Sequence, residues 1–375
     1  MNALYDIIGI PFGYLMMLIY HFVDNYAVAI IIFTVVTKII LLPVNYKTQK
    51  NAARMQLLNP KLEKLRKSYS NNPQRLQEEQ QKLYIQEGIN PMGSCLPAFI
   101  QMFLLFGVLD VVYKPITHIL RFSKDIRREA ASIAGTKLSN LRCELHIMSD
   151  LSENPANYSH LSDGFLDKVR NFNTNYTVFG ANLGKVPSVH VDWHSSESII
   201  LFCIPILAGL AQLLSSVYSQ IHQKKVNPNM QGGGCLTFMM YFFPLLSVWF
   251  AFSVPAGVGF YWIWSALFSF IITFCLNQYF TPERTEAINE KEKEKARIYA
   301  EKHPEKKTFM QKMLEQQEMA NQQNAAKNGK KSGGSKNSRS EIKKYDRDKI
   351  KEARKRMAEK YGDIYDDTDN DFDED

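Results

Sequence analysis

A single lysine stands inside a long apolar stretch of this sequence, and a cation in that position can attract an acidic or polar group. The stretch runs from Tyr26 to Val44, and about 20 such residues match a bilayer core roughly 30 Å thick. A lysine there costs roughly 2.5 to 3.5 kcal/mol unless its ammonium reaches water or a partner. Thr34, Lys38 and Asn45 are spaced to form one polar stripe on a helix. Alternatively, Lys38 only extends its side chain to the nearby membrane interface.

The sequence carries none of the short motifs that mark common covalent chemistry. It has no GxxxxGK[ST] phosphate loop, no HExxH zinc motif and no GxSxG nucleophile elbow. Its five cysteines have neither CxxC nor metal-ligand spacing, and no paired carboxylates lie within an apolar run. We therefore expect that the protein is not an enzyme and holds no metal or cofactor.

Two kinds of sequence share the chain, so its average composition says little. Apolar runs rich in Phe, Tyr and Met fit lipid-facing surfaces, whereas the residues after 280 are densely charged. This pattern predicts an all-α polytopic membrane protein with five transmembrane helices. The predicted spans are TM1 (24–44), TM2 (92–113), TM3 (196–220), TM4 (235–252) and TM5 (257–279).

The segments on one side of the predicted spans differ in character. Residues 1–23 have the aromatic content of an interfacial helix, with a separate span as the alternative. On the opposite side of the spans, Asn90-Pro91 predicts the start of the helix that forms TM2. Residues 114–195 are polar, lack strong periodicity and are predicted to be an external loop. Asp110, just before that loop, is expected at the outer interface, where a carboxylate stays hydrated.

The segments on the other side are basic, which predicts the orientation of the chain. Residues 45–91 form an amphipathic helical hairpin with a turn at Asn71-Asn72-Pro73. Its nine basic residues against four acidic ones place it in the cytoplasm by the positive-inside rule. Residues 221–234 are a second cytoplasmic loop, so the N-terminus is outside and the C-terminus inside. Alternatively, the hairpin charges only solvate a surface.

Residues 280–375 are predicted to be a cytoplasmic charged tail that cannot build a core. It begins with a helical stretch rich in Glu and Lys and ends in an acidic run. Its basic parts can bind RNA phosphates. Contact with anionic lipid head groups, or solubility alone, are the alternatives.

Three motifs, in this order, resemble the YidC/Oxa/Alb family of membrane protein insertases. They are LLPVNYKTQKNAARM after the first span, NPMGSCLPAFIQM at the start of the second, and FSVPAGVGFYW in the closing pair. The resemblance covers roughly residues 5–115 and 195–280. It implies five helices around a hydrophilic groove that is open to the cytoplasm and lipid and closed to the outside. It also implies insertion of nascent membrane proteins, alone or beside the Sec translocon, and ribosome contact through the basic tail.

The resemblance further implies which residues form the groove. The family's groove cation is usually arginine, and Lys38 stands at its position; Trp262 matches the family's groove tryptophan. Lysine keeps the charge but loses bidentate carboxylate geometry. The expected hydrogen-bonding groups around the cation are Thr34, Gln101, Gln212, Ser215 and Ser265. The implied setting is the cell membrane of a bacterium, with membrane lipids as further partners.

Two other functions use the same features. A transporter or channel for an anionic solute would use the same lysine, although the sequence lacks the inverted repeats typical of transporters. A scaffold that tethers ribosomes would depend on residues 281–375 and not on Lys38. No removable signal peptide is expected at MNALYDII.

Overall fold

The computed structural model describes residues 2–90, 96–161, 164–226 and 234–303, together with Lys312, Gln316 and Met319. The predicted helix start at Pro91, residues 227–233 of the predicted loop and most of the predicted tail lie outside the described residues. The described part is mostly helical. Its helices are α1 (Asn2–Val23), α2 (Tyr26–Leu57), α3 (Asn59–Ser68), α4 (Pro73–Gln86), α5 (Leu96–Tyr113), α6 (Pro115–His118), α7 (Lys124–Ile133), α8 (Cys143–Glu153), α9 (Phe165–Asn175), α10 (Ser196–Val226), α11 (Gly234–Ala251), α12 (Ala256–Tyr279) and α13 (Pro282–Lys302). A 3₁₀ turn (Pro155–Tyr158) and the strands β1 (Thr177–Val178) and β2 (Ala181–Asn182) complete the described elements.

Three helices in the described ranges are long and apolar enough to cross a membrane. They are Tyr26–Leu57, Ser196–Lys225 and Ala256–Tyr279, which correspond to α2, α10 and α12. The described apolar parts of α1, α5 and α11 are shorter. The chain is therefore a helical, multi-pass membrane protein, while the count of five spans stays a prediction.

Helix α2 begins at a side-chain cap and continues well past the predicted end of TM1. The Asn25 side chain accepts a hydrogen bond of 3.1 Å from the amide of Val28, which satisfies one free donor of the first turn. Pro43 lies inside the helix, which ends only at Leu57. Between these positions the sequence has no glycine or turn signal, whereas Asn59-Pro60 starts the next helix. The predicted hairpin therefore consists of the end of α2 followed by α3 and α4.

Helix α12 lies between α2 and α10 and forms the centre of the membrane bundle. A Cβ atom at Gly259 would lie 2.8 Å from Cγ2 of Ile204 of α10, so the Ile204 side chain packs directly on α12 where glycine has no side chain. On the other side, the Tyr261 ring meets the edge of Phe33 of α2, with 6.5 Å between the ring centroids. Helix α11 packs on α10, and α1 packs on α5 and α2.

Residues 114–195 form a folded unit rather than the irregular loop that their polarity suggested. Phe165, Val169 and Phe172 recur at helical spacing on α9 and are buried, as are Ile147 of α8 and Tyr158. Strands β1 and β2 pair in an antiparallel turn, so the predicted all-α fold includes one short strand pair. The apolar repeats are confined to helices of ten or eleven residues separated by polar turns. This brevity concealed them in the sequence.

Three hydrogen bonds to backbone carbonyls connect the folded unit with the ends of the bundle helices. The Tyr176 hydroxyl donates a hydrogen bond of 3.1 Å to the carbonyl of Val112 in α5. The amides of Ala256 and Gly257 donate, each at 2.8 Å, to the carbonyls of Lys185 and Leu183. These two bonds satisfy free donors in the first turn of α12. Residues 114–195 therefore cover the ends of α5 and α12.

Candidate functional site

Lys38 lies in the middle of the bundle with a neutral hydrogen-bond partner. Its side chain leaves α2, is only 6% exposed, and donates a hydrogen bond of 2.7 Å to the hydroxyl of Ser269 on α12. Among the described residues no carboxylate lies within ion-pair distance of the Lys38 ammonium. The cation is therefore partly desolvated and can accept an anionic or strongly polar ligand.

A cavity of about 270 Å³ adjoins the Lys38 ammonium. Its walls come from α2, α5 and α12, and about 10 Å of α2 separates Lys38 from Asn45 along the cavity. Both polar and apolar side chains form its surface. The lining residues are Lys38, Leu41, Val44, Asn45, Ile100, Gln101 and Ser269.

The bundle is closely packed on the side of Lys38 that leads to the start of α2. Thr34, one turn away, is fully buried, and its hydroxyl donates a hydrogen bond of 2.7 Å to the carbonyl of Ile30. Phe33 and Tyr261 are buried against each other in the same layer. The cavity therefore extends from Lys38 only toward the α3–α4 end of the molecule.

Four of the predicted groove residues gather around this position. Gln101 and Lys38 line the cavity, and Thr34 is one turn from Lys38 on α2. Ser265 is buried one turn from Ser269 on α12. The side chains of Gln101 and Ser265 both face the hydroxyl of Tyr261. The predicted polar stripe of α2 and the amide of α5 therefore meet α12 at one level.

The other three predicted residues lie elsewhere on the bundle. Gln212 is exposed on α10, and the Ser215 hydroxyl donates a hydrogen bond of 3.4 Å to the carbonyl of Ala266. The Trp262 ring packs on Phe250 of α11, with 5.7 Å between the centroids. None of the three lines the cavity beside Lys38.

Two polar residues of the cavity were not among the predicted groove residues. Ser269 makes the hydrogen bond with Lys38, and Asn45 forms the far wall. A signal was present for both, because Ser269 follows Ser265 at i+4 and Asn45 continues the polar stripe of α2. Helical spacing alone does not tell which of two serines faces a neighbouring helix.

A second charged cluster lies at the opposite end of α5 and is neutralised by internal partners. The Asp110 carboxylate is fully buried and lies 2.6 Å from the Lys114 ammonium and 2.6 Å from Nε2 of His118. A Cβ atom at Gly9 of α1 would overlap this carboxylate, so only glycine fits there. Asp110 was expected to be hydrated at the interface. Instead, α1 and α6 cover it, and its contacts with Lys114 and His118 replace the water.

The cavity and its surroundings fall within one protein family. The sequence model of the 60Kd inner membrane protein family matches residues 18–284, which include every residue that lines the cavity. The chain belongs to this family, the YidC/Oxa/Alb family.

Several curated relatives in the YidC/Oxa/Alb family are named membrane protein insertase YidC. The relative from Chloroherpeton thalassium is 29% identical over 292 residues, which are 76% of this chain and 39% of the relative. The relative from Chlorobium limicola is 28% identical over 256 residues, 68% of this chain and 34% of the relative. The relative from Clostridium tetani is 46% identical over 87 residues, 23% of this chain and 40% of the relative. The chain therefore spans about two fifths or less of these relatives' lengths.

In this member of the YidC/Oxa/Alb family, α13 is docked at the cavity end of the bundle by ion pairs. The Glu87 carboxylate, after α4, lies 2.6 Å from the Lys61 ammonium and 3.2 Å from that of Lys293 on α13. Burial raises the pKa of Glu87, but the two ammonium groups outweigh it and hold the pKa below its usual value. Arg54 of α2 donates to the carbonyl of Glu87 and to the side chain of Asn289. The first part of the predicted tail is therefore packed against the hairpin.

Proposed function

We propose that this protein is a membrane protein insertase in which Lys38 receives a polar segment of a nascent membrane protein. The observation that carries the proposal is the partly desolvated Lys38 ammonium, which has a serine rather than a carboxylate as its partner at the wall of a cavity. Membership of a family whose named relatives are insertases supports the same function.

The physical task is to reduce the cost of moving polar groups through hydrocarbon. An unpaired backbone or side-chain polar group in the bilayer core costs several kcal/mol. In the proposed mechanism, Gln101, Asn45 and Ser269 offer hydrogen bonds to such a segment, and Lys38 offers a charge partner to an acidic one. The hydrophobic segment that follows then leaves sideways into lipid and gains apolar transfer energy. This cycle needs no nucleotide.

The proposal includes five spans, formed by α2, α5, α10, α11 and α12, around a hydrophilic groove that opens to the cytoplasm. The N-terminus is then outside and the C-terminus inside. Two features support this arrangement. The cavity extends toward the basic α3–α4 hairpin, and the packed layer at Phe33 and Tyr261 lies on the opposite side.

The proposed position of α1 is along the outer interface, beneath the folded unit of residues 114–195. Two contacts in the second half of the helix support it. Tyr14 lies under the guanidinium of Arg121 at 3.7 Å, and the Tyr20 ring meets Phe172 at a centroid distance of 5.2 Å. Both partners belong to residues 114–195, so the aromatic face of α1 follows that unit.

The proposed partners are nascent membrane proteins and membrane lipids, together with the ribosome and the Sec translocon. The α3–α4 hairpin is proposed to make the first contact with a client because it lies at the open end of the cavity. The basic part of residues 280–375 is proposed to contact ribosomal RNA through phosphate neutralisation. Its docked first helix, α13, would link that contact to the hairpin through Lys293 and Glu87.

The test is insertion of a short single-span client with an acidic external tail into liposomes that contain the purified protein. Protease protection of the tail measures how much of it has crossed. Lys38→Ala is expected to lower the insertion rate about tenfold, the equivalent of roughly 1.4 kcal/mol for a charge-assisted hydrogen bond. Lys38→Arg is expected to keep the rate, because the charge is retained. Lys47→Ala, at an exposed lysine of the same helix, is the matched control.

An insertion rate that is unchanged in Lys38→Ala would show that insertion does not depend on the Lys38 charge. Uptake of an anionic solute, or ion conductance by the same liposomes, would favour a transporter or channel. Loss of function on deletion of residues 281–375, with Lys38 variants unaffected, would favour the scaffold that tethers ribosomes.

A further inference from the structure

The folded unit of residues 114–195 contains a groove along one face of α8 that the proposed insertion cycle does not use. Its volume is about 450 Å³. Arg142, which caps α8, and His146, Ser149 and Glu153 follow one another at helical spacing along one wall. The rise from residue 142 to residue 153 gives the groove a length of about 16 Å.

The opposite wall consists of an irregular backbone segment and amide side chains. It is formed by Gly184, Lys185 and Val186, by Asn173 and Asn182, and by Glu197 and Pro255. The amides are fixed by hydrogen bonds: Asn182 donates to Asn173 at 3.1 Å and accepts from the Gly184 amide at 2.8 Å. The Lys185 ammonium lies 2.7 Å from the Glu197 carboxylate. This wall is therefore rigid and carries paired charges.

The unpaired charges of the groove lie at its two ends and have opposite signs. At one end the Arg142 guanidinium donates a single hydrogen bond of 3.0 Å, to the carbonyl of Ser253 in the turn before α12. At the other end the Glu153 carboxylate is exposed and takes part in none of the ion pairs of the described residues. Leu145 and Val186 add apolar surface between the ends.

We propose that this groove binds an extended polypeptide segment of about five residues, acidic toward Arg142 and basic toward Glu153. About 3.3 Å per extended residue matches the length of 16 Å. The apolar side chains and amide groups of the walls suit an extended backbone with side chains on both sides. The inference rests on the proposed function for the source of the segment, which would be the part of a client that has already crossed.

A lipid head group is the competing occupant, because Pro255 and Ser253 lie at the end of the membrane helices. Its phosphate and amine are too close together to engage both ends of a 16 Å groove at once. The separation of the charges therefore favours a polypeptide.

The test measures binding of two fluorescent seven-residue peptides to the purified full-length chain by anisotropy. The first peptide has two aspartates at one end, two lysines at the other and serine-valine-serine between them. The second has glutamines in place of the lysines. The first is expected to bind about two- to fivefold more tightly, the range of a partly exposed ion pair. Glu153→Lys is expected to abolish that difference.

Asp167→Lys is the matched control, because Asp167 is exposed on α9 and does not line the groove. It is expected to keep the preference. Ser149→Trp, at an exposed position, fills the groove and is expected to weaken both peptides without affecting the fold. Lys38→Ala is expected to bind both peptides as the wild type does, so this assay is independent of insertion.

Equal affinity for the two peptides, or a preference that survives Glu153→Lys, would overturn the proposal. So would displacement of the first peptide by short-chain phosphatidylethanolamine but not by the unlabelled peptide, which would assign the groove to a lipid head group.

Discussion

Lys38 and Asp110 both place a charge inside a helix bundle, but their surroundings differ in kind. Lys38 has one neutral partner, Ser269, and adjoins a cavity. Asp110 has two basic partners at 2.6 Å and is completely enclosed. A charge that is neutralised from within stabilises an arrangement of helices, whereas a charge left beside a cavity remains available to a ligand. We therefore assign Asp110 to the architecture of the bundle and, under the proposed function, Lys38 to the binding of a client segment.

The comparison predicts its largest effect at Asp110. Asp110→Asn keeps the shape of the side chain but leaves the Lys114 ammonium and the buried His118 ring without their anion. The free energy of unfolding is expected to fall by about 3–5 kcal/mol, as when one member of a buried ion pair is removed. Denaturant unfolding in detergent, followed by tryptophan fluorescence, measures the change.

Asp125→Asn is the matched control for this variant. Asp125 also forms an ion pair, with Arg128 at 3.1 Å, but its side chain is 87% exposed. Its replacement is expected to leave the unfolding curve almost unchanged. If Asp110→Asn were as mild as this control, the buried cluster would not stabilise the bundle.

A second prediction concerns pH and a buried carboxylate of the folded unit, Glu144. It accepts hydrogen bonds from the amide and the hydroxyl of Thr117 and lies 3.4 Å from Arg127. Burial nevertheless raises its pKa above the usual value of 4.5. The folded state then binds the proton more tightly than the unfolded state. The resulting stability is fully present below pH 4.5 and is lost as the pH rises through the pKa of the folded protein.

Glu144→Gln is expected to remove this dependence, which is at most about 1.4 kcal/mol per pH unit. Thermal unfolding of both proteins at a series of pH values above 4.5 measures the difference between them. Glu87 provides a contrast, because its pKa is lowered rather than raised. Its contribution to the free energy of unfolding is therefore lost as the pH falls, not as it rises. A difference between Glu144→Gln and the wild type that does not change with pH would contradict the prediction.

The smallest effect on stability is expected at Lys38 itself. Lys38→Met removes a charge that has no ionic partner among the described residues and replaces it with a flexible apolar side chain. The free energy of unfolding is expected to change by less than about 1 kcal/mol, because the lost hydrogen bond to Ser269 is offset by the lower desolvation cost. Denaturant unfolding of Lys38→Met and Asp110→Asn under the same conditions compares how much each charge contributes to stability. A loss as large as that of Asp110→Asn would make Lys38 an architectural residue too.

The candidate site was predictable where it depends on a single helix. The apolar run of α2, the cation inside it and the spacing of Thr34 and Asn45 are properties of the linear sequence. The family was predictable too, because its motifs are continuous stretches of the sequence. The prediction was less complete for residues on α10 and α12. Gln212, Ser215 and Trp262 have suitable side chains but do not line the cavity, whereas Ser269 does.

The folded unit of residues 114–195 shows the same limit in another form. Its core depends on contacts between short helices, and each contributes only two to four buried apolar residues. Periodicity in such a segment is too brief to stand out from a polar loop.

The sequence by itself determined that this protein is a helical membrane protein of the YidC/Oxa/Alb family with a cation inside its first long apolar helix. Hydrophobic runs, helical periodicity and family motifs are local, so they can be read without knowing what lies opposite. Only the tertiary structure decided that Lys38 meets Ser269, that Asp110 is enclosed by α1 and α6, and that residues 114–195 fold into a unit with a groove. Each of these depends on the rotation of one helix against another, which is fixed by packing between residues far apart in the sequence.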